Sequence, residues 1–303
     1  MIAFGCSISE PDPYLRYARP GIQLAAEPDA AIFPFATVGT VGRSYNLLLD
    51  AAAAHADLEA LVIVHPHLEI ADPDLCAKLR AAFSDPDVAV VGCAGATGVR
   101  TIAWWEGEVS CGQVTHRYLE HHGGELPAYS FTTRKPPGFE VDTVDGFFLA
   151  LSPWAVRNVR FDEGLVFGHG FELDFCLQVR RAGHKVMTVD LHVITHRSLK
   201  VVTDLEWWEQ AHIQLARKWE GQAPYSEAPT VDWKARARRA EAEREAARAI
   251  AYSRRLGLDA RIEELERQLR ARTNTASWRI TAPLRRANQL VRQARSRRSA
   301  AAG

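Results

Sequence analysis

LVIVHPHLEIADPD, residues Leu61 to Asp74, begins with an apolar run typical of a strand that is buried on both faces. The run ends in two imidazoles around a proline, His65-Pro66-His67, and Asp72-Pro73 then marks the start of a helix. In α/β enzymes the carboxyl ends of such strands present catalytic or metal-binding side chains. The carboxylates that usually hold a phosphate-bound divalent cation are replaced here by histidines.

The residues on both sides of this stretch continue an alternation of strands and helices. IAFGCSI, AAIFPF and VAVVGCAG each indicate a strand, and helical segments separate them. This spacing predicts parallel β-α-β units, so the fold class is α/β with a mostly parallel sheet flanked by helices. Thr101 to Gly138 interrupts the alternation and is interpreted as an insertion over the sheet's edge, whereas KVMTVDLHVI predicts one further strand.

Composition narrows the class of protein without selecting a partner. The 303 residues carry no net charge and 47% of them are hydrophobic, as in an ordinary globular protein. Five scattered cysteines without CxxC spacing argue against a disulfide framework or a zinc site, and indicate reduced core thiols in the cytoplasm. We find no apolar run long enough to cross a bilayer, and the first ten residues do not resemble a secretory signal.

Acids near strand ends and helix starts are the candidate catalytic groups. Glu172 lies in the first turn of a predicted helix, where the dipole favours its ionised form, suited to general-base catalysis or simply to helix stabilisation. Asp174 points to another face and is a candidate tie to a neighbouring loop. Asp145-Gly146 reads either as a turn or as a place where the backbone approaches a sugar. His196 follows a strand, as a metal ligand or as a polar strand end.

The second half of this region resembles a known family. VDTVDGFFLALSPWAVRNVRFDEGLVFGHGFELDFCLQVRRAGHKVMTVDLHVITHRS is similar to the acceptor and catalytic half of glycosyltransferase family 2-like enzymes with the GT-A fold. The upstream GRSYNLLLDAAAAHADLEALVIVHPHLEI and AWWEGEVSCG resemble further motifs of that family, so the resemblance covers about Ile2 to Ser198. Phe171 replaces the first acid of the family's acidic pair, and Glu172 occupies the position of the catalytic base.

The resemblance implies inverting transfer from a nucleoside-diphosphate sugar, and it assigns expected roles. Glu172 is the expected base and Asp145 the expected aid in holding donor or acceptor. The expected donor-binding residues are Ser7, Glu10, Arg43, Asn46, His65 and His67. The expected acceptor-binding residues are Trp104, Trp105, Gly146 and Asp174; the two tryptophans equally suit a loop anchored in the core.

His67 stands where the family carries the last acid of its metal-binding element. In one account, His67 and His196 hold a divalent cation, Mn²⁺ or Mg²⁺, of which Mn²⁺ accepts nitrogen ligands more readily. In a second account no metal binds, and histidine or arginine side chains, including Arg43 and Arg197, neutralise the diphosphate. In a third, the histidine has abolished catalysis and the domain only binds.

The composition changes after the region of family resemblance. We predict four parts: a catalytic domain at 1–200, a helical extension and linker at 201–232, a long helix or coiled coil at 233–272 and a basic amphipathic tail at 273–303. Ile262, Leu265 and Leu269 have the spacing of a coiled-coil seam, which favours a homo-oligomer. In the tail, arginines alternate with apolar residues, which favours an anionic membrane surface over nucleic acid. A disordered solubilising tail is the other alternative.

Two functions of different classes follow from these observations. The first is an inverting glycosyltransferase acting on a cell-envelope glycan or lipid-linked acceptor, peripheral at the inner face of the cell membrane. The second is a catalytically silent GT-A-like binding or scaffold protein of a polysaccharide assembly complex. Nucleotidyl transfer is disfavoured, because the amino-terminal part carries no glycine-rich phosphate loop.

Overall fold

The computed structural model describes residues 1–118, 129–132, 138–197, 204–222, 224, 255–273, 275, 281 and 283. The chain divides into two compact units, Met1–Ala240 and Glu241–Gly303. Most of the predicted linker, residues 233–254 of the predicted long helix and nearly all of the basic tail lie outside the described residues. The predicted domain boundaries therefore stay predictions.

Strands and helices alternate through the first unit. The strands are β1 (Ile2–Ile8), β2 (Ile32–Ala36), β3 (Ala60–Val64), β4 (Leu68–Ile70), β5 (Val88–Gly92), β6 (Ala94–Thr97), β7 (Val109–Tyr118), β8 (Tyr129–Thr132), β9 (Phe139–Val141), β10 (Thr143–Val144), β11 (Phe148–Leu151), β12 (Lys185–Thr188) and β13 (Val193–Arg197). The helices are α1 (Pro11–Pro13), α2 (Arg19–Ala25), α3 (Val41–Ala53), α4 (Leu75–Ala82), α5 (Pro153–Asn158), α6 (Phe171–Arg181) and α7 (Leu205–Trp219). A π-helical turn (Tyr14–Ala18) joins α1 to α2, and a 3₁₀ turn (Trp104–Glu106) precedes β7.

The first sheet has seven strands in the order β2-β1-β3-β11-β5-β12-β9. The pairs β1–β2, β1–β3 and β5–β12 are parallel. Strand β11 runs antiparallel between β3 and β5, and β9 is antiparallel to β12 at the edge. Five of the seven strands therefore share one direction, which confirms the prediction of a mostly parallel α/β sheet.

The second sheet was not predicted. Its strands follow the order β10-β6-β7-β13-β4, with β8 paired to β7. The Thr101–Gly138 region supplies β7 and β8, so the interpretation of this region as an insertion over the edge is corrected. VAVVGCAG and KVMTVDLHVI also each divide into two strands, one for each sheet. The apolar pattern continues across both divisions, so it cannot reveal where the chain changes sheets.

Local sequence explains where the helices of the site begin. The Thr40 hydroxyl accepts a hydrogen bond from the backbone N–H of Arg43 and caps α3. Ser152 caps α5 in the same way, with Pro153 in the first turn. Gly170 precedes α6 with a φ of 77°, a left-handed conformation that favours glycine. This sharp entry sets the direction of the first turn of α6.

Apolar side chains fill the space on both faces of the first sheet. Strands β3, β5 and β11 are buried along their whole length, as a sheet covered on both sides requires. All five cysteines are free and buried, in agreement with the prediction of core thiols. Among the described residues, none of the helices combines the length and apolar composition needed to cross a membrane.

In the second unit, residues 255–273 form one further helix, α8. The apolar side chains of the predicted seam are exposed on it: Ile262, Leu265 and Leu269. Opposite charges one turn apart also pair along this helix, as between Glu264 and Arg267. A helix with an exposed apolar seam is consistent with the predicted self-association, which stays a prediction.

Candidate active site

The carboxyl ends of three neighbouring parallel strands, β2, β1 and β3, meet at one edge of the first sheet. The Ser7 hydroxyl near the end of β1 lies 2.9 Å from the Thr37 hydroxyl just after β2. Glu10 is exposed in front of α1 and its side chain makes no capping bond. His65 follows β3. Three of the expected donor-binding residues therefore share the edge where open α/β sheets bind ligands.

Asp145 lies beside this edge because β11 pairs with β3. The backbone N–H of His65 donates to the carbonyl oxygen of Phe147 over 2.9 Å. The Asp145 carboxylate accepts from the backbone N–H of Phe147 at 3.1 Å and from the indole N–H of Trp104 at 2.8 Å. Each carboxylate oxygen thus has a protein donor and retains lone-pair capacity for another. The result is an acid held in one orientation next to the end of β3.

Gly146 brings this turn against the start of α6. A Cβ at position 146 would lie 2.8 Å from the Phe171 ring and 3.3 Å from Cβ of Glu172. A glycine is therefore needed here for close packing rather than for an unusual φ. This contact joins Asp145-Gly146 to Glu172, although they are more than twenty residues apart in the sequence.

Glu172 is a half-buried acid in the first turn of α6. Desolvation, with a contribution from the negative charge of Asp145, raises the pKa of Glu172 to about 8. The sequence argument from the helix dipole predicts an ionised carboxylate, and in the protein alone this effect is outweighed by burial. A carboxyl with a pKa near neutrality is able both to accept and to release a proton.

His65 and His67 lie close together after β3. Their ring centroids are 5.5 Å apart, and the His65 Nδ1 accepts a hydrogen bond from the backbone N–H of His67. Desolvation and the neighbouring His67 lower the pKa of His65 to about 4, even though part of its side chain is open to solvent. His65 is therefore neutral at pH 7 and is able to act as a hydrogen-bonding group or a nitrogen ligand.

The two residues expected to hold a metal are joined through the backbone. The N–H of His196 donates to the carbonyl oxygen of His67 over 2.9 Å, and His67 contributes to lowering the pKa of His196. The Nδ1 atoms of both rings are buried and have no hydrogen-bond partner among the described residues. Buried, unpartnered imidazole nitrogens fit a borderline cation such as Mn²⁺. Within the described part of the chain, however, no group of three or more ligating side chains is assembled.

The Nε2 side of the His196 ring faces a cavity beside Tyr17 and Glu69. Its Nε2 is 2.7 Å from a carboxylate oxygen of Glu69, and the Tyr17 ring stacks on the imidazole at 3.7 Å. These residues line a cavity of about 600 Å³ together with Arg16 and Arg117. Burial lowers the pKa of His196 despite the neighbouring carboxylate. The residues that line this cavity include His196 but not His67, Asp145 or Glu172. This cavity is therefore separate from the edge that carries the expected base.

Arg43 and Asn46 hold the loop before α6 in place. The Asn46 amide donates to the Phe161 carbonyl oxygen at 3.0 Å and to Glu163 at 3.1 Å, and its oxygen accepts from the Phe161 backbone N–H. Arg43 pairs with the same Glu163 carboxylate at 3.3 Å. Asn46 therefore holds this loop, and its expected donor contact stays a prediction. Arg43 is exposed, and its contact with Glu163 is of the weak surface kind.

Asp174 is fully buried and does not face a site. Its carboxylate accepts from the Trp219 indole N–H at 2.8 Å and from the Gln178 amide at 2.8 Å, and it pairs with Lys218 at 2.7 Å. The structure thus corrects the expected acceptor contact. Asp174 ties α6 to helix α7, whereas the sequence suggested a tie to a neighbouring loop.

Trp104 and Trp105 differ in position. Trp104 is buried, and its indole N–H is used by Asp145, so it orients the acid instead of meeting an acceptor. Trp105 is only partly buried and stacks on Trp208 of α7 with ring centroids 5.9 Å apart. Sequence reasoning did not place Trp208 beside Trp105. The Trp207-Trp208 pair was visible, but its place beside Trp105 depends on the fold.

Residues 27–219, nearly two thirds of the chain, match the model of a glycosyltransferase-like family. The chain belongs to this family, which confirms the expectation of a glycosyltransferase.

Individual proteins similar to this chain have low sequence identity to it. The streptomycin biosynthesis protein StrF of Streptomyces griseus is 28% identical over 227 residues, which are 74% of this chain and 76% of StrF. The mannosyltransferase PcManGT from Pyrobaculum calidifontis, solved with GDP-Man and Mn²⁺, has a TM-score of 0.41 and 13% identity, over 92% of this chain and 81% of its own. GalNAc-T7, solved with UDP, GalNAc and Mn²⁺, has a TM-score of 0.47 and 8% identity, over 72% and 48%.

Proposed function

We propose that this protein is an inverting glycosyltransferase that moves a sugar from a nucleoside-diphosphate sugar to a hydroxyl of a cell-envelope glycan or lipid-linked acceptor. The observation that carries the proposal is the pairing of Glu172 with Asp145 across Gly146. This acid pair lies beside His65, at the edge where β1, β2 and β3 end. Transfer of a sugar to a hydroxyl requires a base beside the donor site. A carboxyl with a pKa near neutrality at this edge is suited to that role.

Glu172 is the proposed base. The acceptor oxygen attacks the anomeric carbon, the bond from that carbon to the diphosphate oxygen breaks, and the acceptor proton passes to the Glu172 carboxylate. The diphosphate leaves with the bonding electron pair. A single direct displacement inverts the configuration at the anomeric carbon. Asp145, held by the indole N–H of Trp104, orients the donor sugar or the acceptor.

The raised pKa of Glu172 constrains this mechanism. In the protein alone, the group is mostly protonated at pH 7 and must lose its proton before it can act as a base. Positive charge near the diphosphate favours that loss, because an opposite charge stabilises the carboxylate. The diphosphate itself carries negative charge, so the cation or cationic side chain that neutralises it has to supply this effect.

The donor is proposed to bind along the ends of β1 and β3, near Ser7, Glu10, His65 and His67. His67 and His196 are the residues that would hold a divalent cation, because their buried Nδ1 atoms have no described partner. Such a cation would neutralise the charge of the diphosphate. The nitrogen ligands favour Mn²⁺ over Mg²⁺.

We further propose two binding partners for the carboxyl-terminal residues: a second copy of the chain and a membrane surface. The seam on α8 favours a homo-oligomer, and the basic tail at 273–303 favours an anionic membrane surface at the inner face of the cell membrane. A peripheral position of this kind suits a lipid-linked acceptor. Vesicle co-sedimentation of the full chain and of a chain lacking 273–303 tests this part separately.

The donor experiment is a thermal-shift panel of nucleoside diphosphates and their sugars, each with and without Mn²⁺. One nucleotide is expected to raise the melting temperature selectively, and Mn²⁺ is expected to increase that shift. Glu172→Gln should abolish turnover and keep donor binding, whereas the exposed Glu220→Gln serves as a matched control. A flat panel under all metals favours the catalytically silent scaffold, and unchanged turnover in Glu172→Gln removes this residue as the base.

A further inference from the structure

His67, Glu69 and His196 lie on one face of the second sheet. Strands β4 and β13 pair in antiparallel register, with Glu69 opposite Ile194. At the end of this pairing the His196 N–H donates to the His67 carbonyl oxygen, so these two residues are also opposite each other. Residues that are directly opposed, and residues two apart in one strand, have side chains on the same face. The register therefore brings Glu69 beside the imidazole of His196.

The Glu69 carboxylate holds one nitrogen of the His196 ring. A carboxylate oxygen of Glu69 lies 2.7 Å from Nε2. An ionised carboxylate only accepts hydrogen bonds, so Nε2 has to carry the hydrogen. A neutral imidazole has a hydrogen on only one of its two nitrogens, and the bond made by one nitrogen decides the state of the other. Glu69 therefore selects the tautomer of His196 in which Nδ1 presents a lone pair.

The Tyr17 ring fixes the plane of the imidazole. It stacks on His196 with ring centroids 3.7 Å apart and an angle of 11° between the ring planes. Tyr17 belongs to the π-helical turn before α2, and α2 packs closely on β4, because there is no space for a Cβ at Gly21 beside the Ile70 backbone. The stacked ring is therefore attached to the strand that carries Glu69. Both contacts together restrict rotation of the imidazole.

The Nδ1 atom of His196 has no role within the described part of the chain. The His196 side chain is only 4% exposed, and its Nδ1 has no hydrogen-bond partner among the described residues. A buried polar atom without a partner costs free energy, so stability of the fold gives no reason to hold Nδ1 in this state. The Nδ1 of His67, on the same face, is also buried without a described partner. The two nitrogens indicate rings that are oriented for a ligand from outside the chain.

We infer that Glu69 and Tyr17 are positioning residues: Glu69 selects the tautomer of His196 that binds a divalent cation through Nδ1, and Tyr17 holds the ring in its orientation. This role rests on the proposed function, in which His67 and His196 hold that cation. Glu69 contacts the other ring nitrogen and Tyr17 contacts the ring face, so both act through His196. Carboxylates that accept the second N–H of a ligating histidine typically contribute about tenfold to a hundredfold to metal affinity.

The first test determines the tautomer without any cation or donor. Long-range ¹H–¹⁵N NMR of the full chain at about pH 8, where an unperturbed histidine is neutral, distinguishes protonated from unprotonated ring nitrogens. His196→Gln identifies the signal. The parent protein should carry the hydrogen on Nε2 only, and Glu69→Ala should show a mixture of both tautomers. Glu220→Ala, exposed at the end of α7, should leave the signal unchanged. A hydrogen on Nδ1 in the parent protein, or an unaltered tautomer in Glu69→Ala, would overturn the assigned role.

The second test measures Mn²⁺ binding by calorimetry with UDP or GDP present. Glu69→Ala should weaken Mn²⁺ binding by about tenfold or more. Glu69→Gln keeps an oxygen that accepts from Nε2, so it should recover part of this loss, and it replaces Glu69→Ala in both tests if that variant does not fold. Tyr17→Phe keeps the stacked ring and should bind Mn²⁺ as the parent protein does, whereas Tyr17→Ala should bind it more weakly. Equal affinity of the Glu69 variants and the parent protein would contradict a positioning role.

The outcomes also distinguish this role from the proposed function. If Glu69→Ala changes the tautomer and weakens Mn²⁺ binding but the parent protein transfers no sugar, the positioning role stands and the proposed transfer fails. If the parent protein transfers sugar without binding Mn²⁺, the positioning role fails and the transfer stands, with side chains neutralising the diphosphate.

Discussion

Asp145 raises the pKa of Glu172 from across the Gly146 contact. The two acids come from different elements, the turn before β11 and the first turn of α6. Desolvation of Glu172 is the larger cause of its raised pKa, and the negative charge of Asp145 adds to it. The two residues are therefore an electrostatic unit in which the charge of Asp145 affects the protonation of Glu172.

Asp145→Asn tests this unit through the pH dependence of turnover. The base acts when deprotonated, so the rate should rise with pH through the pKa of Glu172, near 8 in the parent protein. Removing the negative charge of Asp145 should move the midpoint of that rise to lower pH. The midpoint is measured from kcat/KM against pH. A midpoint that stays in place, with folding intact by circular dichroism, would show that the two groups are not coupled.

Gly146→Ala tests the close contact that joins the acids. The added methyl group would meet the Phe171 ring at 2.8 Å, so either α6 or the turn must move. We expect a loss of about 1–3 kcal/mol of unfolding free energy and a larger relative loss of turnover. The measurements are urea unfolding and steady-state kinetics.

Gly257→Ala is the control for this substitution. It adds the same methyl group on α8, where nothing lies within 4 Å of the new atom. It should leave turnover unchanged. Wild-type turnover in Gly146→Ala would show that the distance between the turn and α6 is not important for the reaction.

Asp174→Ala tests the support of α7. The substitution leaves Lys218 and the Trp219 indole without their buried partner, which should cost about 3–5 kcal/mol of unfolding free energy. Asp162 retains Lys218 in part, which favours the lower end of that range. The exposed Glu220→Ala at the end of α7 should change stability little. Equal stability of the two variants in urea would contradict the assigned tie.

Sequence periodicity predicted the strands and helices whose formation depends on residues within the same segment. LVIV predicts a buried strand, and a helix with Glu172 in its first turn was also predicted. The second sheet was missed, because β6 and β13 continue the apolar patterns of β5 and β12 without a break. A change of sheet depends on partners distant in sequence, such as the pairing of β13 with β7.

In the candidate site, the sequence likewise predicted individual residues but not their contacts with residues distant in the chain. Glu172 and Asp145 were identified by motif, and the fold brings them together. Trp104 and Asp174 were expected at an acceptor, but their partners, Asp145 and Trp219, lie more than forty residues away. A single sequence carries no signal for such pairings. The raised pKa of Glu172 likewise depends on burial that only the fold defines.

His67→Asp tests the proposed cation ligand. It places a carboxylate after β3, where this chain has a histidine. The imidazole nitrogen favours Mn²⁺, whereas a carboxylate oxygen at the same place favours Mg²⁺. The ratio of Mg²⁺ to Mn²⁺ affinity should therefore rise, by about tenfold, when calorimetry is done with UDP or GDP present. His55→Asp, which introduces the same carboxylate after α3 and before β3 begins, should leave the ratio unchanged. An unaltered ratio in His67→Asp would show that His67 is not a ligand. The same conclusion would follow if His67→Ala bound both cations as well as the parent protein does. Side chains would then have to neutralise the diphosphate.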